Sequence, residues 1–262
     1  MGRRIKGILT GLLFIIVGAV ICGVCVMSMG FDLSGLRYGT YKNVQYDAEG
    51  VFKNIRIVGK TEDVIFRPSE DGNCSVICYE EEKSPHSVSV IDDTLVINTV
   101  SERNWLEFFA FWGDDPKITV CLPEVSYEGL NIILNTGDTV VPADFSFTDI
   151  SIRSDTGDIK CHASKADNVS LAVETGDVEI STLVKDDLSV STSTGDVRLN
   201  SCDASTIYIK TKTGDVSGTI LSDKSFEAGS ETGDVHVPDT SGGKCSISTA
   251  TGDIDIKISD LR

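Results

Sequence analysis

The chain is poor in basic and catalytic side chains. Its 262 residues include 23 Lys and Arg against 40 acidic residues, and only three histidines. Nucleic acids and anionic membrane surfaces bind through clustered Lys and Arg, so we expect neither as the main partner. The histidines, His86, His162 and His236, are scattered, and no His-Glu-x-x-His or nucleophile-elbow sequence is present. These absences argue against an enzyme, a cofactor and a nucleic-acid-binding protein.

Charge is also missing from residues 7–31, a run rich in Leu, Ile and Val. About 20 apolar residues are enough to cross the ~30 Å hydrocarbon core as a helix. Because Arg3, Arg4 and Lys6 precede the run, we predict a basic cytoplasmic segment at 1–6 and a transmembrane signal-anchor helix at 7–31. The rest of the chain would then lie outside the cell. A cleaved signal peptide is the alternative, although its apolar region is usually only about 7–15 residues long.

One tripeptide, Thr-Gly-Asp, recurs seven times, at separations of 20 and then five times 19 residues. A short fixed period is the signature of a solenoid in which each repeat forms one coil. The copies are Thr136-Gly137-Asp138, Thr156-Gly157-Asp158, Thr175-Gly176-Asp177, Thr194-Gly195-Asp196, Thr213-Gly214-Asp215, Thr232-Gly233-Asp234 and Thr251-Gly252-Asp253.

Apolar and polar residues alternate on both sides of each tripeptide. Val178 and Ile180 follow one copy with Glu179 between them, and Val169 and Leu171 precede it. Alternation with period two predicts strands with one buried face, at least two per coil. We therefore predict an all-β fold, a single right-handed parallel β-helix or solenoid with coils of about 19 residues stacked ~4.8 Å apart.

The regular coils are predicted over 117–262, after an irregular start of the same sheet over 51–116 that contains an aromatic insert. Within that start, the sequence TEDVIF at residues 61–66 looks like a decayed copy of the turn and strand. Residues 32–50 are predicted as a polar linker. At the other end the chain stops in mid-coil, where Asp255, Lys257 and Asp260 would protect the exposed edge from strand addition.

The seven aspartates of the tripeptides would form a column with neighbours about 5 Å apart. Their repulsion in water is about 0.9 kcal/mol per neighbouring pair, and about half of that after screening. A hydrogen bond accepted from the backbone N–H two residues further along, worth ~1.5–3 kcal/mol, would outweigh it. Calcium is the alternative, but the residue before each Thr varies, so no second ligand recurs. We expect structural corners without a metal.

Six cysteines follow the apolar N-terminal run, and their spacing matches no zinc motif. Three of them fall in alternate coils, too far apart for a disulfide, which needs Cα atoms within ~7 Å. We expect most of the six to be small buried apolar residues. They are Cys74, Cys78, Cys121, Cys161, Cys202 and Cys245.

Five aromatic residues, including both tryptophans, fall within residues 105–112. A solenoid needs its open end covered, so this segment is either a cap on the first coil or an exposed patch for a partner protein or the membrane interface. The candidate contact residues are Trp105, Phe108, Phe109, Phe111 and Trp112.

These features resemble the bacterial Toastrack-type family of adhesin-like proteins, a domain of unknown function. The resemblance covers about residues 48–262 and rests on the Thr-Gly-Asp-Val/Ile repeats, NIRIVGKTEDVIFRPSEDG, DDTLVIN and ITVCLPE. It implies an exported or membrane-anchored β-helical module, in some relatives associated with envelope-stress signalling and in others with adhesion. This chain departs from the pattern in having no recognisable kinase domain or cell-wall anchoring motif.

The sequence therefore predicts a single-pass bacterial membrane protein whose extracytoplasmic solenoid binds or senses something in the cell envelope. Membrane signalling proteins or an envelope polymer are the expected partners. Adhesion to a polymer or another cell is the alternative, and a glycan-active β-helix enzyme is a third hypothesis.

Overall fold

The computed structural model describes residues 16–18, 20, 21, 24, 41–81, 84–100 and 116–259. The six described residues before residue 41 are helical and belong to a separate unit from the strands. Within the described ranges, no helix is long and apolar enough to span a bilayer. The predicted basic segment 1–6 and, apart from those six positions, the predicted helix 7–31 lie outside the described residues.

The described strands form two sheets around one apolar core. The eleven-stranded sheet has the order β1 (Tyr41–Asp47), β4 (Ser75–Glu81), β7 (Lys117–Leu122), β3 (Asp63–Pro68), β9 (Thr139–Val141), β11 (Ile159–Cys161), β13 (Val178–Ile180), β15 (Val197–Cys202), β17 (Val216–Ile220), β21 (Ile254–Ile258) and β19 (Val235–His236). The ten-stranded sheet has the order β18 (Lys224–Thr232), β20 (Gly243–Thr251), β16 (Thr206–Lys210), β14 (Leu183–Thr194), β12 (Lys165–Thr175), β10 (Ser146–Thr156), β8 (Ser126–Thr136), β2 (Asn54–Val58), β6 (Thr94–Thr99) and β5 (His86–Ile91).

Each regular coil contributes one strand to each sheet, and the Thr-Gly-Asp corner joins the two. In the second coil, Ile150 and Ile152 of β10 and Ile159 of β11 are all buried, as the alternating pattern predicts. Neighbouring coils pair in parallel and in register, so that Thr156 lies opposite both Thr136 and Thr175. The all-β parallel solenoid with coils of about 19 residues is confirmed for the repeats.

The beginning of the described solenoid is mixed rather than purely parallel. β1 pairs antiparallel with β4, β4 with β7, and β5 with β6. A two-residue turn at Asp92 and Asp93, both at positive φ, closes the β5–β6 hairpin, and this turn geometry matches the twist of antiparallel strands. The linker predicted over 32–50 is wrong for residues 41–47, because these residues form β1, which pairs with β4, and Tyr46 packs half-buried against the core.

The coils do not stack in chain order at either end. β2 and β3 lie between β8–β9 and β6–β7, and the seventh repeat, β20–β21, lies between the fifth, β16–β17, and the sixth, β18–β19. The predicted edge is therefore wrong at Asp255, which is paired with β17 on one side and with β19 on the other. Lys257 is paired only with Thr219 of β17, because β19 ends at His236. Asp260 lies outside the described residues.

The apolar content of the last two repeats explains which of them is terminal. The seventh repeat buries Cys245, Ile247 and Ile254, whereas the inward positions of β18 include Phe226 and Ala228, which stay half-buried. A terminal coil packs on one side only, so part of its apolar surface stays in contact with water. The repeat with the smaller apolar face loses the least burial free energy in the terminal position.

A buried ion pair ties the terminal repeat across its neighbour. Lys224, at the start of β18, is 3% exposed, and its Nζ lies 2.7 Å from Asp203 Oδ1 at the entrance to β16. Gly243 of the intervening β20 makes room, since a Cβ there would sit 3.4 Å from the Lys224 side chain and 2.5 Å from the Ser205 carbonyl oxygen. Gly243, the first residue of β20, therefore leaves space for the Lys224 side chain to extend across this strand to Asp203.

Candidate functional site

The glycine of each Thr-Gly-Asp corner is required by the backbone. All seven glycines have φ between +127° and +150°, a region that favours glycine. Stacking adds a second constraint: a Cβ on Gly195 would overlap the carbonyl oxygen of Gly176 in the coil before it, and the same holds along the column. The corners are thus fixed by backbone packing, as the sequence predicts.

The aspartates form a ladder of hydrogen bonds between coils. The backbone N–H of each aspartate donates to Oδ1 of the aspartate in the neighbouring coil, at 2.8–3.0 Å. The order along the stack is Asp63, Asp138, Asp158, Asp177, Asp196, Asp215, Asp253 and Asp234.

This ladder corrects one expectation and extends another. The acceptor bond was expected from an N–H two residues along the same coil, but it comes from the next coil, because parallel in-register stacking brings each carboxylate under the following N–H. The column also has an eighth member, Asp63, which belongs to the TEDVIF sequence and confirms that residues 61–66 are a decayed copy of the corner.

Charge in the column is offset locally. Arg198 Nη1 lies 3.0 Å from Asp177 Oδ2 and its Nη2 lies 2.8 Å from Asp196 Oδ2. The backbone hydrogen bond from Asp196, together with Arg198, holds the pKa of Asp177 below its ordinary value despite partial burial. Each carboxylate keeps substantial exposure, so water and salt screen the remaining repulsion.

Replacing Asp158 by alanine is expected to lower the free energy of unfolding by about 1–2 kcal/mol, because the Asp177 N–H loses a charge-assisted acceptor. Asp158→Asn should cost less, since its side-chain oxygen can still accept and the column loses one like charge. Urea unfolding measures both. Asp186→Ala, which removes an exposed carboxylate near Lys185, is the matched control. An equal loss in the control would show that the ladder contributes nothing.

The column does not provide a cluster of metal ligands. Across 41–81, 84–100 and 116–259, three or more His, Cys, Asp or Glu ligand atoms come close enough to hold an ion only at Cys78, Glu80 and His86. The Oδ1 atoms of the column are already occupied by backbone N–H groups. The geometry favours the structural role of the aspartates over calcium binding.

The outer face of the ten-stranded sheet is a broad surface of small polar side chains. One outward row runs through consecutive strands and carries Ser151, Ser170 and Ser189 in register. A second row, two residues along, is mixed: in register it carries Arg153, Ala172, Ser191, Lys210 and Ser248. Because the strands are about 4.8 Å apart, the first row presents three hydroxyl groups at a regular spacing on a rigid support.

The structure gathers four buried polar side chains that sequence reasoning left apart: Glu62, Cys78, Glu80 and His86. His86 Nδ1 lies 2.8 Å from Glu80 Oε2, and its Nε2 lies 3.6 Å from Glu62 Oε1. Burial lowers the pKa of His86, but its close contacts with Cys78, Glu62 and Glu80 raise it more, to about 10 overall. A signal was present, because alternation along β4 places Cys78 and Glu80 on the same inward face.

The other two histidines lie on outward positions, as expected. His162 Nδ1 lies 2.8 Å from Ser181 Oγ, with its side chain 28% exposed, and His236 is exposed at the edge strand β19. The six cysteines within the described strands and loops are free, and five of them are buried. Burial raises the pKa of Cys74, Cys202 and Cys245 to about 12 and also raises that of Cys161, so none of these four is a reactive thiolate.

A half-open cleft of ≈ 740 Å³ lies near the beginning of the solenoid, between the β1–β2 and β3–β4 connections. Phe52 and Tyr127 line it with stacked rings, and Asp47, Glu49 and Asp71 add carboxylates. Hydrogen bonds from Asn73 and Ser69 lower the pKa of Asp71 to about 2, so this group stays charged. A ligand held there would be neutral or cationic.

The aromatic candidates Trp105, Phe108, Phe109, Phe111 and Trp112 lie outside the described residues. Both hypotheses for them, a cap or a partner contact, stay predictions.

Comparison with known proteins identifies a family and a set of similar folds. The family model described as Toastrack DUF4097 matches residues 52–261. Similar solved structures include a putative lipid binding protein from Parabacteroides distasonis ATCC 8503, with 18% identity, a TM-score of 0.48, and coverage of 84% of this chain and 98% of that one. A putative adhesin from Bacteroides fragilis NCTC 9343 has 17% identity, a TM-score of 0.46, and coverage of 83% and 97%. The search of curated proteins finds no match.

Proposed function

The chain belongs to the Toastrack DUF4097 family, and we propose that it is a membrane-anchored, extracytoplasmic solenoid that serves as a non-catalytic binding or sensing module of the bacterial cell envelope. The apolar run at 7–31 is the membrane anchor, and it holds the solenoid at the outer surface of the membrane. Envelope-stress signalling is the specific role we propose, with signals passed to membrane partners.

The observation that supports binding is the outer face of the ten-stranded sheet. Ser151, Ser170 and Ser189 lie in register on three neighbouring strands, with Asn131 and Tyr208 on either side, and together they offer a regular row of hydrogen-bonding groups. Such an array suits a repetitive polar ligand, whose groups meet equivalent side chains on successive coils. An envelope polymer has this character, as does a chain on a neighbouring cell, which is the adhesion alternative.

The first experiment tests location and orientation. Alkaline phosphatase, which is active only after export, is fused to the C terminus of the full chain, and cell fractions are assayed for activity and for the intact protein. Activity in the membrane fraction at the uncleaved mass is the expected result. Activity in the medium at a reduced mass would show a cleaved signal peptide, and a lack of activity would contradict the extracytoplasmic assignment.

The second experiment tests the binding face. Sedimentation of the protein with purified cell-wall polymer and with intact cells is compared for wild type, Ser170→Arg/Ser189→Arg and the control Ser217→Arg, which changes the eleven-stranded sheet. Binding to polymer that is lost at least tenfold only in the first variant supports the proposal. Binding that is confined to other cells would favour adhesion, and equal binding by all three proteins would exclude this face.

The aromatic segment is the proposed contact to membrane partners. In-cell crosslinking of wild type should capture named signalling or transport proteins, and a folded Trp105→Ala/Trp112→Ala variant should not. Equal capture by both would leave the segment as a cap only.

A further inference from the structure

The beginning of the solenoid holds a compact set of metal-binding side chains in its interior. One ligand atom from each of Cys78, Glu80 and His86 lies within 4.8 Å of the other two. Their residues are 0%, 2% and 5% exposed, respectively. Cys78 and Glu80 project from the same face of β4, and His86 begins β5.

The local fold fixes these three side chains relative to one another. The backbone N–H of His86 donates to Glu80 Oε2 at 2.7 Å, and the His86 ring meets the same oxygen through Nδ1. The Tyr46 hydroxyl of β1 donates to Glu80 Oε1 at 3.0 Å. Strands β1, β4 and β5 thus hold the carboxylate and the imidazole from three sides.

One atom in this set has no hydrogen-bond partner. His86 Nε2 is buried and unpartnered, and the nearest carboxylate oxygen, Glu62 Oε1, is 3.6 Å away. Glu62 is itself satisfied, since it accepts from the backbone N–H groups of Lys60 and Thr61 and from the Thr99 hydroxyl. An ion shared with Glu80 would bind at Nδ1, the ring nitrogen that faces this carboxylate, and would leave Nε2 to donate its proton towards Glu62.

We propose that Cys78, Glu80 and His86 form a binding site for a divalent transition-metal ion of the zinc class. A thiolate, a carboxylate and an imidazole are ligand types of zinc, whereas the sulfur excludes calcium and magnesium as the preferred ions. The thiolate and the Glu80 carboxylate supply two negative charges, which match the charge of the ion. Binding releases the Cys78 thiol proton and frees one His86 ring nitrogen of its proton. Glu62 lies on the Nε2 side of the ring, where it would orient the imidazole without binding the ion.

The site would connect the two sheets at this end of the stack, because β4 belongs to the eleven-stranded sheet and β5 to the ten-stranded sheet. Its role would be structural, since the ligands are enclosed by protein. Without an ion, the same residues form a buried triad in which protonated His86 lies between Glu62 and Glu80. The two states make different predictions in solution.

Cobalt titration of the full chain, stripped of metals with a chelator, distinguishes them. We expect one equivalent of Co²⁺ to bind with visible d–d bands and a near-ultraviolet thiolate charge-transfer band, and Zn²⁺ to displace it. Zinc at about 100-fold over its Kd should raise Tm by roughly 5–10 °C. Cys78→Ser, a near-isosteric change, should abolish the charge-transfer band and the Tm shift.

Cys202→Ser is the matched control, because Cys202 is also fully buried but lies far along the stack from β4. It should keep both signals. A wild-type protein that binds no stoichiometric Co²⁺, or whose spectrum survives Cys78→Ser, would overturn the metal site and leave the protonated triad. If Cys78→Ser fails to fold, the wild-type titration still tests the proposal, because a wild-type protein that shows no thiolate band with one equivalent of Co²⁺ would overturn it.

Discussion

Gly195→Ala is expected to lower the free energy of unfolding by about 3 kcal/mol or more. Gly195 has φ +144°, and an added Cβ would overlap the carbonyl oxygen of Gly176 in the neighbouring coil. Relief requires the two coils to separate, which lengthens the bond from the Gly176 N–H to the Thr194 carbonyl oxygen, now 2.9 Å. Urea unfolding followed by circular dichroism measures the loss.

The control is Gly229→Ala in the edge strand β18. Gly229 is exposed, has no positive φ, and a Cβ there meets nothing within 4 Å. We expect a change within about 0.5 kcal/mol. If both variants lost the same stability, the corner glycines would owe their recurrence to something other than coil spacing.

Asp203→Ala is expected to lower the free energy of unfolding by about 2–4 kcal/mol. Lys224 is buried, and Asp203 Oδ1, at 2.7 Å from its Nζ, is its partner carboxylate. Removal of that carboxylate leaves the ammonium group inside the protein with Ser222 as its remaining hydrogen-bond partner. The Asp203 side chain is 27% exposed, so we place the loss below the full value for a deeply buried pair. Thermal and urea unfolding both report it.

The double variant Asp203→Ala/Lys224→Met separates the charge from the packing. Methionine keeps most of the apolar length without the ammonium group, so the double variant should recover more than half of the stability lost by Asp203→Ala. A double variant as unstable as the single one would mean that Asp203 acts through its bonds to the Ala204 N–H and the Ser222 hydroxyl instead.

The repeats could be predicted from the sequence because each rule acts within one coil. Alternation around Val178 and Ile180 identifies the inward face, and Gly at a corner of fixed period identifies the turn. The pairing of coils follows wherever neighbours in the chain are neighbours in space, as for β10 and β12. Period and alternation therefore determine the fold class and the Asp column.

What the sequence did not predict depends on contacts between distant segments. The insertion of the seventh repeat between the fifth and sixth is accompanied by the contact of Lys224 with Asp203 past Gly243, a relation that no local pattern encodes. His86 and Glu62 are 24 positions apart in the chain, so no local pattern brings them together. Strand β1 was missed because its short alternation of apolar and polar residues lies in a polar stretch of sequence. The outer serine rows were visible as polar positions, but their register required the paired strands.

The order of the repeats also bears on how the chain reaches its folded state during synthesis. A solenoid whose coils follow chain order can extend from the part already folded, one coil after another, as the polypeptide leaves the ribosome. Here the strands of the fifth repeat pair with those of the seventh, and the sixth repeat pairs only with the seventh. The sixth repeat must therefore remain unpaired until the seventh has been made. The final two repeats therefore complete folding together, once the seventh repeat has left the ribosome. A ribosome stalled between them would hold a protein whose fifth repeat has an unpaired sheet edge.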